Sequence, residues 1–218
     1  YDGGDYNIVF ETLSDEKIAK RDSGVFVLCS HDGRLYDGGG YLAVFETLSG
    51  KKVVERSDSV WTLCSHDGLL YDSGRYSYIF ETFSDQEIVE RSGPVCTLWS
   101  HDGKLYDGGW YNAVFETLAN KMVAERSDWV RTLCSHDGVL YDGGDYEPIF
   151  ETLSNQEIAE RDGRVLTLCS CNGRLYDGGD YSIFETLSNK KIAKKKSTVS
   201  ALCSISQELV QKILKAHI

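Results

Sequence analysis

The side chains able to do chemistry recur at one spacing. Cys29, Cys64, Cys134, Cys169 and Cys203 share a single position of a 35-residue period, with Trp99 where the third interval would carry a cysteine. Two more, Cys96 and Cys171, bring the count to seven. A disulfide needs Cα atoms within ~7 Å, which equivalent positions of diverging copies do not offer. The expectation is therefore small buried hydrophobes kept reduced, and hence a cytoplasmic protein. Cys169 and Cys171 are two apart in one run and no C-x-x-C occurs, so no zinc spacing is present. His31, His66, His101 and His136 head His-Asp-Gly triplets. One copy supplies one triplet, so they converge poorly on a metal ion, and an Asp-Gly turn closing a hairpin accounts for them. No His lies beside a Ser or Cys in a way the sequence can defend as a nucleophile pair, and no phosphate loop occurs. The expectation is no catalytic residue, no metal site and no cofactor.

Asp2, Asp37, Asp72, Asp107, Asp142 and Asp177 each follow a tyrosine and precede Gly/Ser-Gly. Two readings apply. The aspartates could accept hydrogen bonds from the backbone of the following tight turn, or each Tyr-Asp pair could bind a sugar hydroxyl, as in a multivalent lectin.

These residues must be positioned by the repeat itself. Tyr-Asp-Gly/Ser-Gly begins at Tyr1, Tyr36, Tyr71, Tyr106, Tyr141 and Tyr176. Within one copy, Val60–Ser65, Leu69–Asp72, Tyr76–Thr82 and Glu87–Arg91 are short runs separated by turn residues, and the third is rich in aromatic and β-branched side chains. No run is long enough for a periodic helix. The reading is all-β: four antiparallel strands, here a to d, repeated six times as a six-bladed β-propeller over residues 1–204. N-terminal b, c and d strands plus a C-terminal a strand, Val199–Ser204, are expected to complete one shared blade and close the ring. Lys-rich d strands, such as Lys190–Lys194, would discourage edge-to-edge pairing. Residues 205–218 carry Leu209, Ile213 and Ala216 at helical spacing after Ser206, which predicts a short amphipathic helix or tail, either a cap or the start of a further domain of a larger chain.

The order V-x-T-L-C-S-x-D-G-x-L-Y-D-G-G, followed by I/V-F-E, resembles a WD40-type repeat over about 204 of the 218 residues, with Phe80-Glu81 where that family has Trp-Asp. The unit is short, phenylalanine replaces the tryptophan in every copy, and no Gly-His pair precedes strand a, so the family's His–Asp–Ser–Trp network has no counterpart. The L-Y-x-G-G element is shared with Kelch-like repeats. The resemblance implies a protein–protein interaction scaffold.

Differences between copies locate the expected surface. Phe26, Trp61 and Arg131 occupy the second position of strand a, Trp129 lies just before it, Arg75 and Trp110 follow the glycine pair, and Tyr78 opens strand c. In an a–b–c–d meander the d–a and b–c connections share one side, whereas the a–b and c–d connections, His-Asp-Gly and F-E-T-L-S, scarcely vary. Aromatic and arginine side chains dominate binding hot spots, so these seven residues form the expected site for a protein or peptide. The alternative is lectin-like binding of carbohydrate or a small ligand at the Tyr-Asp pairs. A net charge of −11 opposes a phosphate-backbone partner, and no apolar run approaches the ~20 residues of a membrane helix.

Overall fold

The computed structural model describes residues 7–11, 16–146, 148–195 and 198–199, and every regular element among them is a strand. β1 (Ile8–Glu11) and β2 (Glu16–Lys20) form a two-stranded sheet. Five four-stranded antiparallel sheets follow. They are β3 (Val25–His31), β4 (Arg34–Gly39), β5 (Ala43–Glu46) and β6 (Lys51–Glu55); β7 (Val60–His66), β8 (Leu69–Gly74), β9 (Tyr78–Glu81) and β10 (Gln86–Glu90); β11 (Val95–His101), β12 (Lys104–Gly109), β13 (Tyr111–Glu116) and β14 (Lys121–Glu125); β15 (Val130–His136), β16 (Val139–Gly144), β17 (Ile149–Glu151) and β18 (Gln156–Ala159); and β19 (Val165–Cys171), β20 (Arg174–Gly179), β21 (Ser182–Glu185) and β22 (Lys190–Lys194). In each, neighbours in the sheet are neighbours in the chain, so the expected a–b–c–d meander is the repeating unit. The chain divides into two compact units, residues 1–122 and 123–218.

Packing between successive sheets follows from the apolar positions of strands a, b and c. In the first unit Tyr36 and Val44 of one sheet meet Val60, Leu63 and Leu70 of the next, and Cys64, Tyr71 and Ile79 meet Val95, Leu98 and Leu105. Fully burying one such aliphatic side chain contributes about 1.5–3 kcal/mol, and no sheet could supply that cover alone. The d strands present charge instead: Lys51, Lys52 and Glu55 of β6 are exposed, as are Lys190 and Lys194 of β22, which suits an edge that must not recruit another strand.

Two expectations are corrected. The glycine pair does not lie between strands; strand b runs through it, as in β4 to Gly39. The pair is held there by close approaches. A Cβ at Gly38 would stand 2.6 Å from Val60 Cγ1 of the next sheet, and one at Gly39 would collide with the Gly24 carbonyl oxygen. Nor is His-Asp-Gly only a turn. His31 Nδ1 lies 2.8 Å from Ser65 Oγ, and His66 and His136 lie 2.9 Å from Ser100 and Ser170 Oγ. Each histidine is buried and pins its hairpin to strand a of the following sheet.

Ring closure by Tyr1 onward and Val199–Ser204, and the amphipathic helix at 205–218, fall mainly on residues 1–6 and 200–218, outside the described residues. At the last described positions, Val199 N donates to Gly179 O at 2.9 Å. Its Cγ1 lies 2.8 Å from where a Gly178 Cβ would stand, much as Val60 lies against Gly38.

Candidate functional site

The variable positions are brought together by backbone hydrogen bonds. The residue after each glycine pair donates its amide to the loop preceding strand a: Gly40 N to Gly24 O (3.0 Å), Arg75 N to Ser59 O (3.0 Å), Trp110 N to Pro94 O (2.8 Å) and Asp145 N to Trp129 O (2.9 Å). The b–c and d–a loops are therefore side by side in each sheet, as the repeat pattern implied. The second glycine of each pair makes this approach possible, since the carbonyl of the opposing loop occupies the space a Cβ would need.

On this scaffold the first unit carries an aromatic surface. The rings of Trp61 and Trp110, from successive sheets, pack with centroids 5.6 Å apart and a 41° tilt. That geometry suits a tilted aromatic pair, which adds about 0.5–1.5 kcal/mol beyond its area. Trp110 is 37% exposed and Phe26 43%. The Arg75 side chain is exposed, with its Nε 4.0 Å from Asp58. Tyr78 is set differently: it stands on β9 opposite Glu90, with its ring 6.1 Å from Phe80. Its hydroxyl pKa is raised by the hydrogen bond to Glu90 and by that carboxylate's charge.

The second unit pairs its aromatic with an ion pair. Arg131 donates from Nε and Nη2 to Asp145 at 2.9 and 2.7 Å, and its guanidinium lies 4.9 Å from the Trp129 ring centroid. Arg131 is thus a held, half-buried group rather than an extended one, and it orients Trp129, which remains 36% exposed. Arg164 and Asp180 repeat the bidentate pair one sheet later, at 2.9 and 3.2 Å. Hydrogen bonds from Arg164 hold the Asp180 carboxyl below its usual range.

The Tyr-Asp motif does something neither reading anticipated. Asp37, Asp72, Asp107 and Asp142 are fully buried, and Asp177 nearly so. Each accepts a bidentate pair from the arginine just beyond the preceding strand d. Arg91 Nε and Nη2 reach Asp107 at 2.7 and 2.7 Å, and Arg126 reaches Asp142 at 2.6 and 2.6 Å. Arg21–Asp37, Arg56–Asp72 and Arg161–Asp177 repeat the geometry. A tyrosine four residues on donates to the same carboxylate, Tyr76 at 2.7 Å, Tyr111 at 2.6 Å and Tyr146 at 2.5 Å, as does Tyr41. The guanidinium rests on the phenylalanine of the F-E element, with Arg91 4.2 Å from the Phe115 centroid. The phenylalanine of this element therefore supplies a π face to a cation. Buried charge requires such pairing, and these carboxylate oxygens are committed within the fold rather than presented to a sugar.

In the sixth copy, one residue short, Tyr181 takes a φ of +67° and is more than half exposed. Asp177 there receives Thr186 Oγ1 at 2.8 Å, and a cavity of about 70 Å³ opens beside Arg161, Asp177 and Phe184. Among the described residues, Cys29, Cys64, Cys96, Cys134, Cys169 and Cys171 are thiols outside any disulfide. Burial pushes the Cys64 thiol up to about 12 and that of Cys134 up to about 11, which disfavours a thiolate nucleophile. Sequence reasoning passed over the c–d turn, where Leu48, Phe83, Leu118, Leu153 and Leu187 are exposed. Phe83 covers His31 and Tyr36 of the preceding sheet at 5.6 and 5.7 Å. The 35-residue recurrence of an apolar residue after Glu-Thr was the available signal.

No protein-family model matches this sequence, and no curated protein matches it. Solved structures do match in shape. The computationally designed Ika8 protein superposes with a TM-score of 0.62 at 15% identity, covering 94% of this chain and 73% of its own. A chain of a mitotic checkpoint complex gives 0.67 at 15% identity, covering 89% and 73%. At that identity the likeness is one of fold, and it agrees with the propeller-like repeat of four-stranded sheets.

Proposed function

We propose that this chain is a non-catalytic scaffold that binds a protein or peptide through the side formed by its d–a and b–c loops. The observation that carries this reading is the Trp61–Trp110 pair, with Phe26 exposed at the strand-a position equivalent to Trp61. A soluble protein exposes such aromatic area where something else covers it. Arg75 belongs to the same unit, Trp129 and Arg131 stand on the equivalent loop and strand positions of the second unit, and Tyr78 fits least among the seven because its contacts lie along strands c and d. Burial of the aspartates argues against the carbohydrate alternative. The likeness to a chain of a mitotic checkpoint complex is compatible with a protein partner but rests on fold alone.

The same reading includes a six-bladed propeller closed by its two termini, a cytoplasmic setting for its reduced cysteines, and no nucleic-acid or membrane partner. Its test is affinity capture from the native cell with the parent chain and a Trp61→Ala/Trp110→Ala variant. A specific protein retained by the parent and lost from the variant supports the scaffold. Equal retention by both, with the variant folded, overturns it.

A further inference from the structure

Four of the five arginine–aspartate networks have a further acceptor that the fifth lacks. Arginine Nη1 reaches a side chain in the turn between strands c and d: Arg56 to Asp85 at 2.5 Å, Arg91 to Asn120 at 2.7 Å, Arg126 to Asn155 at 2.6 Å and Arg161 to Asn189 at 2.8 Å. In the network of Arg21 and Asp37 the equivalent turn residue is Gly50, which has no side chain to offer, and Arg21 Nη1 donates to its neighbour's carbonyl, Lys20 O, at 3.4 Å. The backbone is otherwise unchanged. Gly50 has φ +69°, beside +58° at Asp85, +49° at Asn120, +58° at Asn155 and +53° at Asn189. A Cβ built on Gly50 meets nothing within 4 Å. The place of the missing side chain is a cavity of about 340 Å³ lined by Lys20, Arg21, Tyr41, Phe45, Gly50 and Lys52. The Arg21 side chain at its wall is only 8% exposed.

The Arg21 guanidinium thus lacks the side-chain acceptor that the turn supplies in the other four networks, and it faces a space large enough for more than a side chain. We propose that the Gly50 cavity is a carboxylate-binding site, in which a ligand oxygen takes the position that Asp85 Oδ1 occupies against Arg56. The third copy shows that an arginine already paired with one carboxylate accepts a second here: Arg56 holds both Asp72 and Asp85. Lys20 and Lys52 add positive charge at the wall, while Asp22 and Glu55, the latter 2.9 Å from Lys52 Nζ, also line it. That balance favours a singly charged planar carboxylate over a phosphate dianion. The carboxylate can come from a free organic acid or from an acidic side chain of a bound peptide.

The site is tested on the full chain with three probes at ionic strength matched by chloride: sodium acetate, the blocked aspartate N-acetylaspartate N-methylamide, and its asparagine counterpart. The readouts are the melting temperature and the Arg21 Nε–Hε signal in NMR. Saturable shifts in both readouts with a carboxylate probe are expected. Gly50→Asn, which restores the residue found in three other copies, should melt higher without probe and lose the response. A response to acetate equal to that of the blocked aspartate assigns the site to free acids, and a response to blocked aspartate alone assigns it to peptide side chains. No saturable shift in the parent, an undiminished response in Gly50→Asn, or equal binding of the asparagine probe overturns the proposal. None of these residues belongs to the aromatic loop face, so the result leaves the scaffold reading untouched.

Discussion

Asp107 shows how much of the fold rests on single side chains. Its two oxygens accept from Arg91, Tyr111 and Thr117, all buried with it. Asp107→Asn keeps the shape but leaves the Arg91 guanidinium with no full counter-charge. Breaking a buried pair in this way costs about 3–5 kcal/mol, so a large fall in the urea midpoint is expected, and an unchanged midpoint would contradict the network. Glu81 sets an acid dependence. Burial pushes its pKa up, but hydrogen bonds from the Ser84 hydroxyl and from the Phe83 and Ser84 amides, the latter two at 3.0 and 2.8 Å, prevail and hold it below the usual value. Its stabilisation is complete above the ordinary glutamate range near pH ~4.3 and is lost as pH falls through the lower folded value. Glu81→Gln should therefore flatten the acid side of the stability–pH curve, measured by denaturant titration. A curve as steep as the parent's would rule Glu81 out as a source of that acid dependence.

Among elements, the two glycines ending strand b have separate duties, which the copies themselves reveal. At the first position the third copy carries Ser73, fully buried, with its hydroxyl donating to Tyr78 O at 2.6 Å. The second position meets backbone in each copy described: Gly144 faces the Trp129 carbonyl and Gly179 that of Arg164. A carbonyl on a hydrogen-bonded loop cannot swing aside as a valine methyl can. Gly144→Ala should thus cost at least the ~1–3 kcal/mol of ordinary overpacking, and Gly143→Ser distinctly less. Thermal unfolding of the two variants decides the point, and equal losses would refute the division. The second glycine also seats the loop bearing Trp129 beside Asp145 and Arg131, so the Tyr-Asp-Gly-Gly motif links strand packing to the recognition surface.

At the scale of the whole molecule, a repeated fold carries an unrepeated surface. Every four-stranded sheet offers the same loop pair, yet Trp61 and Trp110 occur in the first unit and the Trp129–Arg131–Asp145 group in the second. Trp61→Ala and Trp110→Ala remove partly exposed rings, so they should change stability little. Each is expected to weaken partner capture by more than about 1 kcal/mol, the usual threshold for an important interface residue. Arg131→Ala should weaken capture as well, through loss of the contact that orients Trp129. Melting curves beside the binding measurement separate recognition from folding, and a capture loss that merely tracks a stability loss would count against the surface. The Gly50 cavity is a second departure from repetition, legible only where one copy omits what the others supply.

The sequence by itself determined the period, the strand count per copy, the a–b–c–d order and the positions at which copies diverge, because alternation and turn residues are local properties of the chain. It also marked Tyr-Asp as a fixed pair. What that pair does was decided in three dimensions: Arg91 lies 16 residues from Asp107, and Asn120 lies 29 from Arg91. No local pattern joins residues so separated. The histidines were likewise visible as turn residues, while their serine partners stand 34 residues away in the next sheet. The tilted stacking of Trp61 on Trp110 and the capture of Arg131 by Asp145 depend on side-chain directions set by packing between and within sheets. Local chemistry therefore fixed which residues recur and which vary, and the tertiary contacts decided which of them are structural and which are left facing outward.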